Sequence, residues 1–198
     1  MKKIWEWAYR EIYQIDNDIC IKKIKPYRVK TYFWCKIKFT TKIYTLLKFW
    51  ALNINKIDLE NYYKIKKLFP NNIPEINYLD KNGNLVQSII KDYNWKKTIT
   101  LLDFTDKIDY SIWMEFKNMV VMLLKYWIEI MDIRESNIFV QEYERWKYRL
   151  ILSDFKRIWW RTYPFQFYLA FKVNRDKKTL RRLDRLEKIL IQKWKLKI

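Results

Sequence analysis

Apolar and polar residues alternate strictly between Tyr27 and Thr40. Tyr27, Val29, Thr31, Phe33, Cys35, Ile37 and Phe39 fall on one side, and Arg28, Lys30, Tyr32, Trp34, Lys36 and Lys38 on the other. Successive side chains of a strand point to opposite faces, so this alternation predicts a half-exposed strand. Elsewhere the spacing is helical. Ile4, Trp5, Ala8, Ile12 and Ile15 share one face and predict a short helix over Ile4 to Ile15. Thr40 or Thr41 is placed to cap a helix through Leu52, and Asp58 to cap one from Leu59 to Phe69, just before Pro70. Asn82-Gly83, inside Ile76 to Ile90, signals a hairpin, because both residues tolerate positive φ. Tyr110 to Ile133 reads as the longest helix and the centre of the core. Ile138 to Ser153 reads as two strands, and Asp176 to Lys197 as a final helix. Trp159 to Phe171 is apolar and aromatic, but Pro164 opposes a continuous helix there. The expected fold class is α+β: small antiparallel strands and hairpins packed on helices, with a basic amphipathic C-terminal helix.

Composition narrows the function more than any motif does. Half of the 198 residues are apolar and 19% are aromatic, which supports a packed core and opposes intrinsic disorder. The longest charge-free run, Thr162 to Phe171, has ten residues, half of the ~20 that a spanning helix needs. No integral membrane segment is therefore expected. Glu6, Arg10 and Glu11 interrupt any secretory signal, and the opening lacks the character of a cleavable transit peptide. A protein of this kind working inside an organelle is expected to be made there. A single glycine excludes Gly-rich phosphate loops, and the absence of histidine removes the commonest general base and metal ligand. Catalysis is not expected, nor is a cofactor or resident metal. Cys20 and Cys35 form no metal-ligand pair and read as reduced, buried thiols.

The formal net charge of +19 is unevenly placed. Residues 1–50 carry 12 basic and 4 acidic side chains, residues 51–155 carry 15 of each, and residues 156–198 carry 14 basic and 3 acidic. The chain thus divides into a single α+β core over 1–155, basic in its first 50 residues, and a basic aromatic segment with a helical extension over 156–198. A neutral middle between basic ends points to a polyanionic partner. Nine of the eleven arginines lie beyond residue 130. Arginine's planar fork suits phosphate, so its use in a lysine-rich chain is informative.

Three segments are candidates for RNA contact. On the strand face, Arg28, Lys30, Lys36 and Lys38 recur at alternate positions about 7 Å apart, with Tyr32 and Trp34 between them to stack on bases. The same face also suits plain solvation with lysines guarding an edge. Lys156, Arg157, Trp160 and Arg161 form the second group, in which the tryptophans can instead enter the core under arginine stems. In the final helix, Lys177, Lys178, Arg181, Arg182, Arg185 and Lys188 supply the cations. Leu180, Leu183, Glu187, Leu190, Ile191 and Trp194 line the other side. Such a helix can face RNA, an anionic membrane or a partner groove. Asp103, Asp106 and Asp109, with Glu115 beyond, are candidates for Mg²⁺, but acids before a helix ordinarily serve its N-terminus.

Thirty lysines against eleven arginines, 27 isoleucines and one glycine suggest translation from a very A+T-rich gene. Eleven tryptophans are easier to explain if UGA is also read as tryptophan, and selection for tryptophan explains them equally well. With its size, charge and basic segment Lys156 to Ile198, the chain resembles divergent ribosomal proteins encoded in protist mitochondrial genomes. Leu180-Arg181-Arg182-Leu183-Asp184 is similar to a short segment of one small-subunit ribosomal protein, from which no residue role is carried over. The resemblance implies a structural, rRNA-binding component of the mitochondrial matrix ribosome, with rRNA and neighbouring ribosomal proteins as partners. The alternatives are a peripheral, non-catalytic subunit of a respiratory complex and a nucleic-acid-binding protein of an A+T-rich virus or mobile element. A carboxylate-metal nuclease is more distant.

Overall fold

A computed structural model describes residues 1–6, 10–24, 54–128, 130, 133–154, 171–193 and 195–197. The N-terminal residues form strands rather than the expected helix: β1 (Lys2–Glu6) and β2 (Arg10–Gln14) pair antiparallel, and β3 (Ile19–Ile24) joins β2. Short apolar runs satisfy both periodicities, and here the ladder to β3 decides between them. The β2–β3 turn is fastened by the Asp16 carboxylate, whose Oδ1 accepts the amides of Asp18 at 2.7 Å and Ile19 at 2.8 Å.

Helix α1 (Ile54–Leu68) follows, then β4 (Ile76–Leu79) and β5 (Leu85–Ser88). These two strands complete a five-stranded antiparallel sheet in the order β1-β2-β3-β5-β4. The expected hairpin is present, with a refinement. Of Asn82 and Gly83 only Gly83 uses positive φ, at 72°. The Gly83 amide donates to the Asp80 carbonyl, and the Asp80 amide to the Asn84 carbonyl, both at 2.9 Å.

A second sheet, β6-β8-β9, is built from β6 (Ile99–Thr100), β8 (Ile138–Glu144) and β9 (Lys147–Leu152), the last two being the expected strand pair. Asn72 joins the two halves: its carbonyl accepts the Leu152 amide and its side-chain amide donates to the Leu150 carbonyl. Helix α2 (Tyr110–Lys125) is shorter than the Tyr110–Ile133 span predicted for it, and α3 (Lys172–Gln192) is the longest helix described. β7 (Ile108–Asp109) leads into α2, and β10 (Leu196–Lys197), which ends the span expected to be helical, pairs with β7 in parallel. Trp113, Phe116, Met119, Val120 and Leu123 of α2 are buried. They share one apolar cluster with Leu150 and Leu152 of β9, Leu183, Leu186 and Leu190 of α3, and Leu196 of β10.

Asp58 is not a cap. The helix begins four residues earlier, and Asp58 is buried inside it as the counter-ion of Arg10, with Nη1 to Oδ2 at 2.6 Å. Its pairing follows from β2, which carries Arg10 inward where a cation needs a partner. Lys22 lies in the same interior, and burial pushes its ammonium below the ordinary lysine range. Asp58 and Asp154 oppose that push, and Arg10 adds to it. Breaking a buried pair leaves an uncompensated charge. Asp58→Asn should therefore lower stability by about 3–5 kcal/mol, read as a fall in the urea midpoint with the slope unchanged.

Candidate nucleic-acid interface

Helix α3 divides its surface by spacing. Arg175, Thr179, Leu183, Leu186 and Leu190 are buried. Lys177, Arg181, Arg185 and Lys188 are exposed on the opposite side, at intervals of four, four and three residues. At 1.5 Å per residue, the four cations span about 16 Å of one helical stripe. Leu180 and Ile191, expected on the apolar side, are exposed, whereas Leu186 belongs to the core. Trp194 lies outside the described residues. Lys178 and Arg182 flank the stripe, half-buried and engaged in contacts of their own.

The acids of α3 are engaged by lysines that lie outside that stripe. Asp176 pairs with Lys172 one turn earlier. Lys117 of α2 reaches both Asp184, at 3.0 Å, and Glu187, at 2.7 Å. Glu187 also accepts the Tyr110 hydroxyl at 2.7 Å. Burial alone would raise the Glu187 pKa, but the hydrogen bonds from Lys117 and Tyr110 outweigh it and hold the carboxyl below the usual glutamate range. The Glu187 hydrogen bond raises Lys117 above the lysine range, against a smaller opposing effect of burial. The acids neutralise lysines at the helix interface. Lys177, Arg181, Arg185 and Lys188 have no acidic partner among the described residues.

The other expected contacts, Arg28, Lys30, Tyr32, Trp34, Lys36, Lys38, Lys156, Arg157, Trp160 and Arg161, lie outside the described residues. So do Cys35 and the helix expected up to Leu52. Cys20 is free and buried. Burial pushes its thiol up despite Lys22 nearby and a hydrogen bond from Gln87, which keeps it protonated. It borders a mostly apolar cavity of about 270 Å³ together with Ile12, Ile99, Phe139, Arg10 and Lys22. Asp103 accepts the Thr100 hydroxyl at 2.6 Å, and Asp109 occupies the N-cap position of α2 without a side-chain cap bond. No group of three or more carboxylates and cysteines stands ready for a metal ion among the described residues.

Sequence reasoning passed over three tryptophans. Trp95, Trp127 and Trp146 have φ of 65°, 60° and 65°, and are the only non-glycine residues with positive φ among those described. Each is also highly exposed, at 77%, 73% and 74%. The turn Asp92 to Lys96 repeats the two backbone bonds of the Asp80 to Asn84 turn. The Trp95 amide donates to the Asp92 carbonyl, and the Asp92 amide to the Lys96 carbonyl. Trp95 thus stands where Gly83 stands in the other turn. At the end of α2, the Ile128 amide bonds Leu123 and the Trp127 amide bonds Leu124. This is the helix stop that normally has glycine at the position of Trp127. Trp146 sits in the β8–β9 turn. Left-handed backbone costs a non-glycine residue roughly 1–2 kcal/mol. The readable signal was Asp-x-Asn at both 80–82 and 92–94, with tryptophan in the glycine slot of the second.

No protein-family model matches this chain, and no curated protein sequence is similar to it. No helix among the described residues is long and apolar enough to cross a membrane.

The Glu187 linkage has a pH signature. Its folded pKa is depressed, so its contribution is complete above the unfolded glutamate pKa and is lost as pH falls through the folded value. Glu187→Gln should destabilise by about 1–3 kcal/mol at neutral pH, and the deficit should shrink as pH falls below the usual glutamate range. Urea unfolding at a series of pH values checks this.

Proposed function

We propose that this protein is a structural, non-catalytic RNA-binding component of a ribosome, of the organelle-encoded mitochondrial kind. The observation that carries the reading is the α3 stripe. Lys177, Arg181, Arg185 and Lys188 project from a helix whose opposite side is locked into the core, and the acids of that helix are occupied by lysines. A fixed row of uncompensated cations suits a polyphosphate backbone, because each neutralised phosphate releases condensed counterions. The basic ends of the sequence support the same reading, and neighbouring ribosomal proteins are the natural partners for its aromatic surface. The matrix is then its place of action.

The test must change charge rather than delete the helix, because Leu183, Leu186 and Leu190 hold the core. Replacing Lys177, Arg181, Arg185 and Lys188 together by Gln should leave the circular dichroism spectrum intact. It should weaken binding to single-stranded RNA and reduce the log–log salt slope by about 0.7 for each phosphate that is no longer neutralised. An unchanged slope in the folded variant would refute α3 as the RNA-facing element. Recovery of the native protein in a solubilised respiratory complex, rather than with a ribosomal subunit on a gradient, would refute the assignment to the ribosome.

A further inference from the structure

The turns carrying Trp95 and Trp146 are fastened to the same residue. The Tyr93 amide donates to the Glu142 carbonyl at 2.7 Å, the Glu142 amide to Asp92 Oδ1 at 3.0 Å, and the Trp146 amide to Glu142 Oε1 at 2.8 Å. Tyr93 and Tyr143, each about half exposed, lie beside them. One end of the β6-β8-β9 sheet therefore presents four exposed aromatic side chains: Tyr93 and Trp95 on one turn, Tyr143 near the end of β8 and Trp146 on the other turn. Its acids are spent internally: Asp92 also accepts the Thr98 hydroxyl, Glu142 holds Trp146, and Glu144 pairs with Lys147. Two of its cations are not: Lys96 and Arg145 are exposed with no acidic partner among the described residues, whereas Lys147 is paired with Glu144 and Lys97 lines the Cys20 cavity. Arg149 lies over the Tyr143 ring at 5.1 Å, and Lys91 over Trp95 at 5.4 Å.

Deepening the proposed function and resting on it, we infer that this end of the sheet is a stacking platform for unpaired RNA bases. Trp95 and Trp146 are the stacking faces, and Lys96 and Arg145 meet the adjoining phosphates. Aromatic faces interleaved with free cations are the chemistry of single-strand binding, where each base offers a π-face and each link a negative charge. An apolar protein partner would leave those two cations to be desolvated without counter-ions. Both tryptophans occupy backbone positions that glycine fills at lower cost, and both leave their rings in water. Beyond the Lys91 contact with Trp95, neither ring has a ring contact within the fold among the described residues.

Glycine supplies the test, because it fits the left-handed backbone and removes only the ring. Trp95→Gly and Trp146→Gly should each leave the fold intact; Trp146→Gly should raise Tm by about 2–4 °C, and Trp95→Gly by less, because it also removes the Lys91 contact. Binding is measured to a single-stranded oligo(A) of about 12 nucleotides and to an abasic strand of the same length. The wild type should prefer oligo(A), and each substitution should weaken that binding about tenfold, leaving the abasic affinity and the salt slope unchanged. Variants that bind oligo(A) as tightly as the wild type would overturn the platform while leaving the α3 reading standing. A wild type that binds neither strand would overturn the RNA reading and the platform with it. Loss of subunit association without any preference for bases would overturn the platform in favour of protein docking.

Discussion

The packing of α3 on α2 decides what this protein can present to a partner. Leu183, Leu186 and Leu190 share the apolar cluster of Trp113, Phe116 and Leu123, and burial of such side chains stabilises by about 1.5–3 kcal/mol each. Nearer the surface, Lys117 and Tyr110 close on Glu187. Together these interactions fix the rotation of α3 about its own axis. Fixed rotation turns four scattered sequence positions into one row of charge. A tail of the same composition would carry equal charge without equal spacing, and would lose conformational freedom on binding.

The other half of the molecule is organised by buried charge. Arg10 and Asp58 meet across β2 and α1, yet Arg10 Nε and Nη2 and Asp58 Oδ1 have no hydrogen-bond partner among the described residues. A pair so incompletely satisfied adds little net stability compared with apolar packing. Its effect lies in geometry. The pair ties α1 to β2 at a defined position along both elements. Asn55 works in the same direction, donating to the carbonyls of Lys22 and Gly83 and so tying the start of α1 to β3 and to the β4–β5 turn.

Elements were legible where local chemistry and tertiary context agree. Gly83 follows Asp80 and Asn82, so the turn is written in the sequence. The β8–β9 pair announces itself by alternation, and the basic side of α3 by its spacing. Legibility failed where a distant partner decides. Ile4 to Ile15 fits a helix until β3 is available to pair with β2, and Asp58 looks like a cap until Arg10 claims it. It failed again where a residue hides its role. The stop of α2 at Lys125 is a glycine-type stop with Trp127 in the glycine position, so the helical pattern reads on to Ile133. The two turn tryptophans were hidden in the same way, since nothing in their residue type signals a left-handed backbone.

The pairing of β10 with β7 sets an order on assembly. The Lys195 carbonyl accepts the Ile108 amide, the Lys195 ammonium reaches the carbonyls of Leu101 and Leu102, and Leu196 enters the core. Those bonds close a loop of nearly ninety residues, and the entropy of such closure must be spent before the pairing can reward it. A chain synthesised from its N-terminus therefore carries α2 with part of its apolar face uncovered until residues 183–196 have emerged. The five-stranded sheet and α1, whose strands and helix all fall earlier in the chain, can be complete well before then. The protein is thus laid out to mature in two stages, with the half that carries the row of cations acquiring its form last.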